Sequence, residues 1–315
     1  FFQLMNTSRH ISVDVLTSFD VSYSQLPEVL AQVFDKYDPS LSKKQRSRVI
    51  INEVIRRRGI LDHIIEKCSS KKIDKIQPKL RAIIRIGCYE LLFDDFIPDF
   101  AAIHSAVELG KKSINKKAGS MVNAVLRNIQ REQIKDSTWL ESIINNNPEL
   151  AYPNWLIKKW KRQFGSIITK KLCVSFFNKA PMFLRVNEEL LEKDKSINFL
   201  KKSGISIKQH KAFSNFLEVT NGQDKVLDTD LFGTGMISIQ DPASGAVVDL
   251  IDPQKGESIL DVCAAPGTKS LFMAQRVGPN GTIYSSDNNE NRVKKGKADI
   301  KRHKYNNIKW TVLDA

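Results

Sequence analysis

Asp261-Val262-Cys263-Ala264-Ala265-Pro266-Gly267-Thr268-Lys269-Ser270 stands where a short apolar run, residues 258–263, meets a stretch of helical periodicity, residues 268–277. Small residues and one glycine at a strand-to-helix turn let a backbone come close to a ligand, and the helix behind it offers unbonded N–H groups. A nucleotide or nucleoside suits such a loop. A phosphate cradle does not, because G-x-G-x-x-G and G-x-x-x-x-G-K-[ST] are both missing: Gly267 is the only glycine between Gly256 and Gly278.

Reading outward, residues 282–286 have strand character, 289–304 helical character and 308–313 strand character again. Strand and helix alternating over short loops imply right-handed βαβ units and a parallel sheet. Three strands make about half of a doubly wound sheet, so residues 236–315 are expected to form the N-terminal half of an α/β Rossmann-like domain. Asp287 and Asp314 close its second and third strands. An acid at the end of the second strand can accept hydrogen bonds from both ribose hydroxyls of an adenosine, and Asp314 could meet the adenine amino group. A lone aspartate there more often caps the next helix, but two at successive strand ends, downstream of this loop, favour a cofactor.

Upstream, residues 26–130 read as helical almost throughout. Leu80, Ile83, Ile84, Gly87 and Leu91 form one stripe, as do Met121, Val122, Val125, Leu126 and Ile129. Between them Ala102, Ile103, Ala106, Val107 and Leu109 form a third, with Gly110 expected to cap its end and Pro98 marking the loop before it. The expected organisation is an all-α domain at 8–135, a linker at 136–153 organised in part as a helix, and a small α+β domain at 154–235. The small domain should hold a basic helix, a strand over 183–187, a helix over 188–202 ending at Gly204, and β-prone stretches at 205–207 and 216–220.

The 315 residues carry 49 Lys+Arg against 35 Asp+Glu, a formal charge of +14, which suggests a polyanionic partner. No apolar run approaches the roughly 20 residues that cross a bilayer, and the first residues lack the pattern of a secretory signal; Met5 is a candidate start. Cys68, Cys88, Cys173 and Cys263 lack zinc spacing, which points to a reducing cytoplasm and to no metal site.

Cys263-Ala264-Ala265-Pro266-Gly267-Thr268-Lys269 resembles motif I of the RNA 5-methylcytosine methyltransferases, the Nol1/Nop2/Sun family. Pro181-Met182-Phe183-Leu184-Arg185-Val186-Asn187 and Gln240-Asp241-Pro242-Ala243-Ser244 agree with the same family, and Val122-Asn123-Ala124-Val125-Leu126-Arg127 resembles the NusB-like RNA-binding domain of its bacterial 16S rRNA-modifying members. The likeness runs from about Leu26 to Asp314. It implies S-adenosyl-L-methionine as cofactor, held by Cys263, Ala264, Ala265, Pro266, Gly267, Thr268, Lys269, Asp287 and Asp314, with 16S rRNA as partner, a monomer, no membrane and no metal. Where the family usually has Gly-Gly-Lys this chain has Gly267-Thr268-Lys269, which costs backbone freedom but keeps the N–H. In the family a cysteine thiolate adds to carbon 6 of cytosine and carbon 5 then takes the methyl group, with a second cysteine assisting release. Those cysteines belong to motifs beyond residue 315, so no catalytic residue is expected here and the chain alone should be inactive; Cys263 reads as a small residue packed at a strand end.

Lys43, Lys44, Arg46 and Arg48, then Arg56, Arg57 and Arg58, and then Lys111, Lys112, Lys116 and Lys117 could face RNA or simply solvent; the resemblance favours RNA. Trp155 and Trp160 do not share a helical face, which argues against a base-stacking platform, and they are expected in the core. The five histidines share no motif. Two other readings compete: a non-enzymatic NusB-like RNA-binding or antitermination protein, which has no need of the loop and Asp287, and an NAD-dependent oxidoreductase, which lacks its glycines.

Overall fold

Ile, Leu and Val at helical spacing dictate the first half of the molecule. In the computed structural model, which describes residues 7–22, 24–177 and 180–314, the chain divides into two compact units, residues 1–179 and 180–315. The first is helical: α1 Ser8–Val21, α2 Leu26–Tyr37, α3 Leu41–Arg56, α4 Arg58–Ser69, α5 Pro78–Phe93, α6 Asp99–Ser113, α7 Lys116–Lys135, α8 Trp139–Asn146 and α9 Asn154–Ser175. Proline starts α5 where its missing N–H costs nothing, and Asn115 caps α7 by accepting from the N–H of Ala118 at 2.9 Å. The α5 and α7 stripes are buried as expected, with Ile83, Ile84, Val122, Leu126 and Ile129 fully enclosed.

Helix α1 falls inside the all-α domain expected from residue 8 but upstream of the stripes read at 26–130; its buried face includes His10 and Ser12, which hid its amphipathicity. Two expectations need correction. Gly110 does not end α6, which continues to Ser113; a Cβ there would sit 3.2 Å from Val122 Cγ2 and 3.3 Å from the Gly119 backbone. Gly110 therefore lets α6 and α7 approach closely. Trp155 is 66% exposed rather than in the core, whereas Trp160 packs in a cluster with Tyr152 and Phe176, at ring separations of 5.7 and 5.9 Å. The segment read as a linker carries α8, whose Ile143 is buried with the helical core.

The second unit opens with an antiparallel sheet of order β2-β3-β1-β4, built from β1 Met182–Val186, β2 Ser206–Gln209, β3 Phe216–Asn221 and β4 Ile237–Ile239. Helix α10 Lys193–Lys202 covers it, with Leu200 fully buried against Leu184, Leu217 and Val219, and the short α11 Asp230–Gly233 precedes β4. Strand β4 pairs with β1 although it lies beyond residue 236, where the Rossmann-like half was expected to begin. Then come α12 Pro242–Ile251, β5 Ser258–Asp261, α13 Thr268–Val277, β6 Thr282–Asp287, α14 Glu290–His303 and β7 Ile308–Val312. Strands β5, β6 and β7 are parallel and adjacent in that order, as the alternation required. Successive right-handed crossovers put α13 and α14 on one face, where Ile283 is fully buried, and leave Leu260 67% and Tyr284 44% exposed on the other.

The sheets are joined by a buried cation. Arg185 on β1 donates Nε to Gln240 and Nη1 to Gln275, each at 2.7 Å, and stacks 4.3 Å from the Phe272 ring of α13. Asn187 donates to the hydroxyl of Tyr305 at 2.9 Å, and His303 meets the hydroxyl of Ser238 at 2.8 Å. The motifs around residues 185 and 240 thus contribute tertiary hydrogen bonds.

Candidate cofactor site

Strand β5 ends at Asp261, and six residues later α13 begins behind Gly267, whose φ of 108° lies in the region open to glycine. Asp261 is buried and accepts from the hydroxyl of Ser270 at 2.8 Å, which fastens the strand end to the first turn of α13. The loop between is fixed from β6: Ala264 N–H donates to the carbonyl of Ser286 at 2.9 Å and Ala265 N–H to Oδ2 of Asp287 at 3.1 Å. The Ala265–Pro266 peptide is cis. The first intrahelical bond of α13 runs from Leu271 N–H to the carbonyl of Gly267 at 2.8 Å, so the N–H groups of Thr268, Lys269 and Ser270 precede it.

Asp287 is 5% exposed and works in two directions. Its Oδ2 receives the loop, and its Oδ1 accepts from Asn289 N–H at 3.1 Å at the start of α14. Arg292 closes the arrangement: Nη1 lies 3.5 Å from Asp287 and Nη2 donates to the carbonyl of Ala265. A carboxylate oxygen holding one N–H still has a free lone pair, so a ribose hydroxyl could be added without breaking the loop. Asp314 is exposed and accepts from Asn288 at 3.3 Å, which leaves its second oxygen available at the same strand ends. Cys263 and Pro266 are exposed, Ala264, Ala265 and Gly267 buried, and Thr268 and Lys269 half-buried. The structure therefore brings the loop and Asp287 into direct contact and sets Asp314 shortly after the end of β7.

Two participants escaped the sequence reading. Arg292 had no signal beyond its place in a basic helix. Trp310 on β7 had an indirect one in Gly296, a glycine inside α14. A Cβ on Gly296 would meet the indole at 2.7 Å and the Pro266 carbonyl at 2.8 Å, and one on Gly267 would meet the indole at 3.0 Å. The indole thus fills the space between loop and helix, and any larger residue at 267 or 296 would displace it.

The arginines expected to face RNA are occupied. Arg56 and Arg57 both pair with Glu53, Arg57 also lies 4.9 Å from the Phe93 ring, and Arg58 pairs with Asp20 at 3.1 Å. Asp20 is also bound by Arg81 at 2.9 Å and by the buried Arg85 at 2.6 Å. Arg46 pairs with Asp94, Lys44 with Asp38 at 3.8 Å, and Arg48 lies over Phe34. Lys111 and Lys112 share Glu108. Among the described residues, Lys116 and Lys117, exposed at the start of α7, have no such ion pair.

With this geometry in place, the comparisons with known proteins are specific. The NusB family profile matches residues 6–131, the ferredoxin-like domain of Methyltr_RsmF/B-like proteins matches residues 152–224, and the profile of 16S rRNA methyltransferase RsmB/F matches residues 248–315. Three successive segments of the chain are thus similar to a NusB domain and to the ferredoxin-like and methyltransferase domains of RsmB/F proteins. The probable ribosomal RNA small subunit methyltransferase B of Bacillus subtilis is 28% identical over 287 residues, covering 91% of this chain and 64% of its own length. The corresponding protein of Synechocystis is 26% identical over 292 residues, 92% of this chain and 66% of its own. The chain thus spans just under two thirds of these relatives. The crystal structure of PH0851 shares the fold, with a TM-score of 0.66 at 20% identity, covering 98% of this chain and 69% of that one. Among the described residues no helix is long and apolar enough to cross a membrane, and no cluster of histidine, cysteine or acidic side chains could hold a metal ion.

Proposed function

We propose that this chain serves the S-adenosyl-L-methionine-dependent methylation of carbon 5 of a cytosine in small-subunit (16S) rRNA, in the cytoplasm. The observation that carries the reading is the preformed loop: Asp287 and Arg292 hold Ala265 from two sides, and Gly267 delivers the chain into α13. A loop needing two charged side chains and a half-buried indole for its shape has a use for that shape. In this reading Cys263, Ala264, Ala265, Pro266, Gly267, Thr268 and Lys269 line the methionine end, Asp287 accepts from the ribose hydroxyls and Asp314 faces the adenine. The cofactor, when bound, supplies an electrophilic methyl group. The chain's own residues bind and orient it: Asp261 and Ser270 fix the loop's entry, while the first N–H groups of α13 attract the amino-acid carboxylate through the helix's positive end.

Residues 8–135 act as the NusB-like RNA-binding domain and residues 154–235 as a second RNA-binding domain, joined through 136–153, with 236–315 holding the cofactor. RNA is held chiefly through phosphates, because the exposed cations of the helical domain stand without an evident base-reading set. Calorimetric titration of the purified chain with S-adenosyl-L-methionine and with its demethylated product tests the reading. Saturable binding of both is expected, and binding of neither overturns it.

A further inference from the structure

We propose that a cleft in the helical unit, between the C-terminus of α4 and the turn from α7 to α8, receives one unpaired nucleobase that carries an exocyclic amino group. The cleft holds about 410 Å³ and is lined by Lys67, Ser70, Asn128, Arg131, Glu132 and Trp139. Ligand pockets begin at roughly 300 Å³, so a nucleoside fits. This rests on the reading that the helical domain binds RNA and adds to it a site for a single base.

The walls are already set. Asn128 donates Nδ2 to the carbonyl of Cys68 at 2.9 Å, closing the end of α4, and its Oδ1 accepts from Arg131 Nη2 at 2.7 Å. Arg131 also donates Nε to the carbonyl of Arg127 at 3.3 Å, so the guanidinium is fixed before any ligand arrives. Trp139, the first residue of α8, packs against the helical core and is half-buried, which holds the ring at low entropic cost. Among the described residues neither Lys67 nor Glu132 takes part in an ion pair, whereas Lys72, just beyond the end of α4, pairs with Glu66 at 3.6 Å.

This combination discriminates between ligands. An indole gives every base a face to stack on, Lys67 and Arg131 suit the flanking phosphates, and a carboxylate accepts only from donors. Cytosine, adenine and guanine present amino groups, whereas uracil presents two carbonyls and one N–H. The single N–H of uracil lies between two carbonyls that repel a carboxylate, so Glu132 favours the amino-bearing bases, and a duplex, whose bases are stacked and paired, is excluded. The stacking surface that the spacing of Trp155 and Trp160 denied to that pair is supplied by Trp139.

The test is fluorescence anisotropy of the full chain with short labelled single strands of cytidine, adenosine or uridine and with a duplex of equal length. Trp139→Ala should weaken cytidine or adenosine strands about tenfold, within the range for loss of one base stacked on an aromatic ring. Trp139→Phe should restore most of that, and the duplex should be unaffected. Glu132→Gln, exposed and thus harmless to folding, should erase the preference over uridine. If wild type shows no such preference, if Trp139→Ala weakens the duplex equally, or if both substitutions change nothing while RNA still binds, the base site is overturned and the phosphate-binding reading stands. Failure of wild type to bind any of these RNAs overturns both. Should Trp139→Ala not fold, Trp139→Phe and Glu132→Gln decide alone.

Discussion

Arg185 on the antiparallel sheet donates its Nη1 to Oε1 of Gln275, on the helix that leaves the cofactor loop, at 2.7 Å. Arg185 is 2% exposed, and its acceptors are the amide oxygens of Gln240 and Gln275. Burial pushes its pKa down to about 10, so it remains charged at neutral pH. A buried cation held by amides has little net stability to spare, but removing it strands two acceptors. Arg185→Met should therefore destabilise the second unit by on the order of 3 kcal/mol. Replacing Gln240 and Gln275 by leucine in the same chain should recover part of that, as read from urea unfolding. Equal stability of Arg185→Met and wild type would show that the amides re-pair with water.

His303 makes stability pH-dependent. Its Nδ1 lies 3.0 Å from the carbonyl of Asp299, which can only accept, so Nδ1 carries the proton and Nε2 accepts from Ser238. Burial, with Arg302 and Arg185 nearby, pushes its pKa down to about 4 from an ordinary 6.5, against the opposing pull of the Asp299 carbonyl and carboxylate. The folded state then resists a proton that the unfolded chain takes up. Stability from this group is complete above pH about 6.5 and falls as pH drops towards 4, by on the order of 3 kcal/mol. Urea midpoints across that window should shift less in His303→Gln than in wild type, and parallel curves would show that His303 takes up no extra proton on unfolding.

The paired arginines and the unpaired lysines should separate in binding assays. Charge reversal at Arg57 breaks its pair with Glu53 and its stack on Phe93, so the expected effect is lost stability rather than lost RNA affinity. Lys116→Ala with Lys117→Ala should leave the melting temperature near wild type and reduce the log–log salt slope by about 0.7 to 0.9 for each phosphate that is no longer neutralised. An unchanged slope would place the RNA elsewhere on the molecule.

Asp287→Ala should weaken S-adenosyl-L-methionine binding about ten- to a hundredfold, since it deletes the expected ribose acceptor and frees Ala265 N–H. RNA affinity should stay nearly intact. Gly267→Ala should weaken the same cofactor binding for a different reason, strain at φ 108° and contact with Trp310. Calorimetry reads both, and an unchanged dissociation constant in Asp287→Ala would reduce Asp287 to a loop fastener.

Methyl transfer itself is not expected from these 315 residues. Carbon 5 of cytosine becomes nucleophilic only when a thiolate adds at carbon 6. Cys88 and Cys173 are fully buried, with burial raising both thiols, and Cys68 is raised in the same way. Cys263 is exposed but belongs to the loop proposed to hold the cofactor. Labelled methyl incorporated into unmodified small-subunit rRNA above background would make Cys263 the first residue to replace.

Local chemistry along the chain determined the order of elements around the cofactor loop. The helix over Thr268–Val277 matches the structure at both ends, and β6, α14 and β7 lie within a residue of their expected bounds, because alternation between strand and helix leaves few topologies. The place of the loop and of Asp287 at adjacent strand ends followed from the same alternation, and the structure adds that Asp287 holds the loop at Ala265 and also the start of the next helix at Asn289. What tertiary structure decided was which charges remain free and what braces the loop. Arg56 and Arg57 meet Glu53 at i+3 and i+4, a pairing that helical spacing offers, but Arg58 looks free until Asp20, dozens of residues away, folds against it, and no periodicity reveals that partner. Trp310, Arg292 and the buried Arg185 depend equally on contacts between distant elements. Side-chain packing and charge pairing are properties of the folded surface, and so the sequence could name the candidate cations but not select among them.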